Sequence, residues 1–531
     1  MRPWQTHRAN GRTRFGARQR IWVRWILSIR SGCQTVLISI LLAALACLRT
    51  LADEPSVKPV SMPRVGVVDE RFQSYNVEMV EVTGGRFWKP YGPNTSSAGS
   101  DLFAYRLPIN LASPRLRKLA AALAPAYVRV SGTWANATYF ADSDTAPSAP
   151  PSGFDGVLTR QQWRGVIDFS QAVGAPIVTS FAVSPGSRDS AGAWTSDQAS
   201  RLLAYTSSIG GRIVAAEFMN EPNVSAPGVA AVSDDVAGYG RDFKTFRSFL
   251  KRRASATMIL GPGMAGSTDA ASRLLTASGP GLDAFTYHHY GMLSERCTGA
   301  SPSEPALSQT ALSDGWLART DQTLDFYRGL RDQFAPGKPI WLTETAEAAC
   351  GGNRWAATYL DTFRYLDQLG RLAKAGIQLV MHNTLAASDY GLLDEKTLTP
   401  RPSYWGALLW RRLMGTTALE SGVPIEAGLH VYAHCQRGKP GGVSLLVINT
   451  DSHSTRTFRL AASSERYTLD AASLRDATVR LNGHTLELGA KDDLPDLAGV
   501  RTPSGNLTFA PATITFLAIP AAANRECRLR H

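Results

Sequence analysis

Acidic residues are missing from the first 52 positions, which hold nine arginines and no lysine. The absence matters because the 531-residue chain carries a formal charge of +12, which on its face suggests a polyanion partner. Setting those nine aside from the 56 basic residues leaves 47 against 44 acidic ones, only +3. The basicity therefore belongs to the N-terminus, and no nucleic-acid partner is expected. Cysteine is also scarce, six in all, with Cys33 and Cys47 in the same N-terminal stretch. No CxxC pair or Cys/His cluster has metal-ligand spacing, so neither a metal nor a cofactor is expected. The other four, Cys297, Cys350, Cys435 and Cys527, allow two disulfides in any of three pairings, or four separate buried thiols. Beyond residue 52 no run is long and apolar enough to span a bilayer. There is no internal repeat and no low-complexity tract. With 44% hydrophobic and 19% charged residues the composition carries no disorder signature.

What the N-terminus does contain is the Arg-rich segment followed by TVLISILLAALACL (35–48) and small residues at Thr50 and Ala52. A basic region, a short apolar run and a small-residue site predict a secretory signal over 1–52, cleaved near Ala52, and hence export to a periplasm or outside the cell. The basic region is unusually long, so an uncleaved membrane anchor is the alternative.

From about residue 75 to 414, short apolar runs alternate with stretches of helical period. YNVEMVEV opens the series, and SPRLRKLAAALA follows as a helix with Ser113 as its N-cap and Pro114 in its first turn. YVRVSG (127–132), PIVTSFAV (176–183), AAEFMNEPN (215–223), TMILGPG (257–263), LDAFTYHHY (282–290), PIWLTET (339–345) and IQLVMHNT (377–384) read as further strands, with helical stretches after them. A polar, Ser/Pro-rich insertion interrupts the pattern after Tyr290. Eight strand–helix units predict a (β/α)8 TIM barrel over 75–414. Beyond it, short alternating runs such as LHVYAHCQ and GGVSLLVINT, separated by Gly, Asn, Asp and Ser, predict a C-terminal β-sandwich over 415–531. Residues 53–74 are a linker able to lend the sandwich a strand. A monomer is expected.

In such a barrel the catalytic groups collect where strands exit at their C-terminal ends. Two glutamates meet that condition: Glu221 closes the fourth strand in MNEPN, and Glu344 closes the seventh in IWLTET. Each alone is an ordinary surface acid at a strand end. Together they are what glycosidic cleavage needs, one protonated carboxylic acid for the leaving oxygen and one carboxylate to attack the anomeric carbon. In the retaining geometry the two stand about 5–5.5 Å apart. Asn220, directly before Glu221, would hydrogen-bond the sugar 2-hydroxyl.

These residues carry a resemblance. The fourth-strand Asn-Glu and seventh-strand Glu are the pattern of the retaining clan of (β/α)8 glycoside hydrolases. The chain resembles glycoside hydrolase family 79, the heparanases and β-glucuronidases, from about residue 72 to the C-terminus. SPRLRKLAAALAPAYVRVSGTWANATYF, EFMNEPN, TYHHY, WLTETAEAACGG and LGRLAKAGIQLVMHNTLAASDYGLLDEKTLTPRPSYWGALLWRRLMGTT are the similar stretches. The resemblance implies Glu221 as acid/base and Glu344 as nucleophile. It implies Tyr290 as the nucleophile's hydrogen-bond partner, His288 in the pocket lining and Glu78 as a sugar-binding acid. Gly351, Gly352 and Tyr390 would read a uronic acid carboxylate, though one extra residue separates Glu344 from the glycines. Asn383 sits where a sugar-binding Gln is expected. Cys435 and Cys527 resemble a family disulfide, and Cys297 and Cys350, after the sixth and seventh strands, could bridge two rim loops. The implied activity is endo-cleavage of β-glucuronides in heparan sulfate-type polysaccharides. The alternatives are exo-release of terminal glucuronic acid and an inactive carbohydrate-binding protein. Arg86, Lys89, Arg188 and Arg296 are the candidate cations for an anionic polymer.

Overall fold

The computed structural model describes residues 56–91, 102–225, 235–298 and 310–528. The expected signal or anchor over 1–52 and the middle of the Ser/Pro-rich insertion lie outside the described residues. No described helix is long and apolar enough to cross a membrane.

Eight strands close into a barrel: β1 (Gln73–Glu78), β2 (Val128–Ser131), β3 (Ile177–Ser180), β4 (Ile213–Glu217), β5 (Met258–Ala265), β6 (Ala284–Leu293), β7 (Ile340–Ala349) and β8 (Leu379–His382). All neighbours pair in parallel, and Val380 of β8 opposite Gln73 of β1 completes the ring. Each strand is followed by a major helix: α1 (Pro114–Ala122), α2 (Arg160–Val173), α3 (Asp197–Ser208), α4 (Val236–Arg253), α5 (Ala270–Ser278), α6 (Arg319–Phe334), α7 (Tyr359–Lys374) and α8 (Pro402–Leu413). Local chemistry sets the helix starts. Ser113 accepts the Leu116 N–H at the head of α1, with Pro114 at its first position, and Thr159 and Gln162 form a capping box on α2. On α2, Trp163, Val166, Ile167 and Val173 recur at helical spacing and pack into the core.

The two-residue period of the strands explains where the polar site lies. The buried apolar plug of Val178, Ala215, Leu260, Ala284, Trp341, Leu379 and Met381 fills the barrel interior below the site. Two residues further along the same strand faces stand Glu217 after Ala215, Thr343 after Trp341 and Asn383 after Met381. The inward face thus turns from apolar to polar as the strands approach their C-terminal ends.

The C-terminal region adds a large antiparallel sheet built on β9 (Met414–Leu419), β10 (His430–Gln436), β11 (Val443–Asn449), β12 (Ser464–Asp470) and β13 (Thr513–Ile519). The short strand Arg64–Val67 pairs with β9 at its edge, and Ser56–Val57 pairs with Arg456–Leu460 in a second, three-stranded sheet. Val443, Leu445 and Val447 of β11 face the core between the two sheets, whereas Leu446 and Ile448 join the core of the barrel. A simple alternation of buried and solvated positions does not describe this strand: both its faces are covered, and VSLLVIN is buried throughout. Helix α7 lies against this sheet and is likewise buried along almost its whole length.

Candidate active site

Glu344 lies within β7, next to a register shift between Leu342 and Thr345, and His288 follows a similar shift in β6. Such irregularities re-aim side chains at a barrel rim. Glu221 corrects the sequence reading in one respect. The ladder of β4 ends at Glu217, so Glu221 does not close the strand but stands four residues beyond it, in a left-handed conformation with φ 44°. Its amide donates to Gly263 O at 3.1 Å, which fixes that turn. An L-residue there is strained by about 1–2 kcal/mol, which the surrounding contacts must offset.

The two glutamates nevertheless meet. One carboxylate oxygen of each and a ring nitrogen of His288 lie within 4.8 Å of one another. Glu344 accepts from Tyr290 OH at 2.5 Å and from Arg129 Nη1 at 2.9 Å. Glu221 Oε1 is 2.8 Å from His288 Nδ1. His288 is fully buried, so it does not line the cavity; it lies beneath the carboxylates, where its Nδ1 reaches both Glu221 and, at 3.8 Å, Glu344.

The electrostatics separate the pair. Burial raises the Glu221 carboxyl and the charge of Glu344 adds to it, so Glu221 holds a proton above the ordinary carboxylate range despite its histidine. Burial also disfavours the charged form of Glu344. There, however, His288, Arg129 and the hydrogen bonds from Tyr290 and Arg129 outweigh it, and the net shift is downward. One acid and one carboxylate are the result. Glu78 is pushed well above its usual value by burial and by the charge of Glu344. Its carboxyl occupies space that only a glycine leaves: a Cβ on Gly132, at φ 88°, would fall 1.5 Å from Glu78 Oε2.

A cavity of about 410 Å³ opens over these groups, lined among others by Glu78, Glu221, Tyr290, Glu344, Asn383 and Tyr390. Asn383 Nδ2 donates to the hydroxyls of Tyr290 (3.1 Å) and Tyr390 (3.2 Å), tying the two tyrosines together. Asn220 Oδ1 accepts from Arg129 at 2.7 Å, while its buried Nδ2 has no partner among the described residues. The glycine pair differs from the expectation. Ala349 and Cys350 form the cavity wall, and Gly351 and Gly352 pack just behind it against Trp88 and Tyr390.

Both cysteine pairs are bridged, Cys297 to Cys350 and Cys435 to Cys527. Two of the candidate cations are already engaged: Arg188 pairs with Asp242 at 2.7 Å, and Arg296 is buried and pairs with Asp389. Arg86 donates to Phe103 O at 3.3 Å.

Sequence reasoning missed Arg129, Glu217 and Asn136. Arg129 binds Glu217 through Nε (3.0 Å) and Nη2 (2.8 Å) as well as Glu344 and Asn220, and Thr343 donates to Glu217 at 3.0 Å. Asn136 exchanges two 2.8 Å hydrogen bonds with the Asn220 backbone. The signal was present in YVRVSG and AAEFM: one charge inside each apolar strand run, of opposite sign, which burial forces to pair.

Residues 103–370 match the profile described as glycosyl hydrolase family 79, N-terminal domain. Heparanase-like protein 1 of Arabidopsis thaliana is 27% identical over 472 residues, covering 78% of this chain and 85% of that protein. Heparanase of Mus musculus is 29% identical over 468 residues, covering 76% and 84%. A 4-O-α-L-rhamnosyl-β-D-glucuronidase from Fusarium oxysporum shares the fold at a TM-score of 0.61 and 15% identity, over 88% of this chain and 99% of that one.

Proposed function

The chain belongs to glycosyl hydrolase family 79 and is a glycoside hydrolase, and we propose that it is a retaining β-glucuronidase that cuts within heparan sulfate-type chains. The observation that carries the reading is the pair of carboxyls with one oxygen of each within 4.8 Å, one raised and one lowered. That spacing suits a retaining enzyme, whose carboxyls stand about 5–5.5 Å apart, rather than an inverting one, which leaves room for a water between them.

In this mechanism Glu221 gives its proton to the glycosidic oxygen as Glu344 attacks the anomeric carbon and forms a glycosyl-enzyme. Glu221, now a carboxylate, takes a proton from water, whose oxygen displaces Glu344 with a second inversion. Arg129 and Tyr290 hold Glu344 ionised and aimed. Asn220 Nδ2, unpartnered, is the donor for the 2-hydroxyl. Glu78 and Asn383 would bind the ring hydroxyls. The uronic carboxylate would meet Tyr390 and the amides of the Gly351–Gly352 turn, which attract an anion without needing a cation.

Action inside a chain is supported by a second cavity of about 470 Å³, which shares Phe103, Thr133 and Trp134 with the first and adds Thr83, Arg86 and Thr138. Hydroxyls beside an aromatic wall suit a further sugar residue. Export belongs to the same proposal, because two disulfides persist in oxidising compartments. Size analysis of heparan sulfate digests tests the reading: fragments of intermediate length support it, glucuronic acid as the sole product makes the enzyme exo-acting, and an unchanged polymer together with an uncleaved aryl β-glucuronide overturns it.

A further inference from the structure

Cys350, Gly351 and Gly352 all adopt positive φ, at 62°, 79° and 82°, and every carbonyl of this turn is held. Arg296 Nη1 donates to Cys350 O and to Gly352 O, each at 2.9 Å. Ser294 Oγ donates to Cys350 O at 3.1 Å, and the Asp389 amide donates to Gly351 O at 3.2 Å. Across a trans peptide the N–H points opposite to the C=O. Engaging the carbonyls of Cys350 and Gly351 therefore turns the amides of Gly351 and Gly352 the other way. Neither amide donates to a protein acceptor among the described residues. The next one, of Asn353, is taken by Glu347 at 2.6 Å.

Four of the five N–H donors of Arg296 are engaged within the protein. Nε donates to Lys89 O at 2.9 Å, Nη2 pairs with Asp389, and its face stacks on Tyr91 with the guanidinium carbon 3.9 Å from the ring centroid. The adjacent Cys297 is bonded to Cys350, the first residue of the turn. Two independent ties thus run from consecutive residues on the β6 side to one turn on the β7 side.

We propose that Arg296 and the Cys297–Cys350 disulfide are positioning elements for recognition of the uronic carboxylate. They fix the turn behind the Ala349–Cys350 wall with its two amides left free for the anion, and they set the preference for a uronide over the neutral glycoside without taking part in bond cleavage. The inference rests on the glucuronidase reading above. The planar fork of Arg296 reaches carbonyls on two segments and a carboxylate on a third at once, which a lysine ammonium cannot do from one position. Its positive charge behind the peptide groups also reinforces their dipoles toward the pocket.

The test compares an aryl β-glucuronide with the β-glucoside bearing the same leaving group. It also measures competitive inhibition of glucuronide cleavage by free glucuronate and by glucose. Arg296→Gln should lower kcat/KM for the glucuronide roughly tenfold, chiefly through KM, and weaken glucuronate inhibition alike. The glucoside and glucose values should move less than about twofold. Arg296→Lys should fall between wild type and Arg296→Gln. The double variant Cys297→Ser/Cys350→Ser should shift the ratio in the same direction, with the limbs of the pH–rate profile unmoved. Equal losses on both sugars, or a ratio that stays put in the folded Arg296→Lys and double-serine proteins, overturns the proposal. Wild-type protein that turns over no glucuronide overturns the glucuronidase reading instead, and this one with it.

Discussion

Two histidines in this molecule are buried between two carboxylates with an arginine alongside. His288 sits between Glu221 and Glu344 beside Arg129. His430 lies 2.5 Å from Asp367 and 2.8 Å from Asp314, with Arg371 donating to Asp367 at 2.6 Å. The parts are the same; the accounting of hydrogen bonds is not. Asp367 also accepts from Tyr432 OH at 2.5 Å. Burial opposes its charge, but these partners outweigh burial and bring it down to about 2, so it has no proton to give. The Glu221 carboxyl has one hydrogen-bond partner among the described residues, and the cavity opens beside it. An incompletely satisfied carboxyl beside a cavity can do acid chemistry, whereas a fully satisfied one joins α7 of the barrel to β10 of the sheet.

The sharpest way to break this comparison is to neutralise one acid of each cluster. Glu344→Gln should lower glycoside turnover by at least about four orders of magnitude, since it removes the proposed nucleophile, while leaving the unfolding midpoint nearly unmoved. Glu221→Gln should cost about as much on a poor leaving group and far less on an activated aryl glycoside, which needs no proton. Undiminished turnover in either variant would sink the assignment. Asp367→Asn should do the reverse. Removing the partner of two buried cations costs about 3 kcal/mol, read in the urea midpoint, with kcat/KM at low temperature unchanged. If Asp367→Asn abolished turnover in folded protein, the division between the clusters would be wrong.

How legible each cluster was in the sequence follows from what placed it. The barrel and the inward aim of Glu344 could be read because period and strand order are local properties, although β7 runs on to Ala349, so that Glu344 lies within the strand and does not close it. The arginine and the buried acid that support the site, Arg129 and Glu217, were visible as lone charges in apolar runs, but their pairing is 88 residues long in sequence. The position of Glu221 was misread because a left-handed turn that follows the ladder leaves no period to count. The second cluster was not legible at all. Asp367 and Arg371 stand at i and i+4 on α7, the ordinary spacing of a solvated helix pair. Only the sheet laid over that helix makes them buried, and His430 reaches them from a strand 63 residues away.

The smallest expected effect separates the clusters by pH. Burial works against the charge of His430, but Asp367 and the bonds to both aspartates raise its pKa above 6.5. A raised histidine contributes stability that is fully present below its unfolded value and is lost as pH rises through the folded one. Asp367, depressed from 3.8 to about 2, contributes about 2 kcal/mol above its unfolded value, which is lost as pH falls toward 2. This cluster therefore stabilises most between about pH 4 and 6.5. The catalytic pair sets a different profile: kcat/KM should rise with ionisation of Glu344, from below the usual carboxylate range, and fall as Glu221 loses its proton above that range. His288 is raised too, so wild type alone cannot isolate the second histidine. The difference between wild type and His430→Gln can. Urea unfolding at pH 5.5 and 8.5 should show the stability advantage of wild type shrinking at the higher pH, while the two proteins keep superimposable pH–rate curves. An advantage that does not change with pH would mean that His430 is held neutral and that its two aspartates serve only as hydrogen-bond partners.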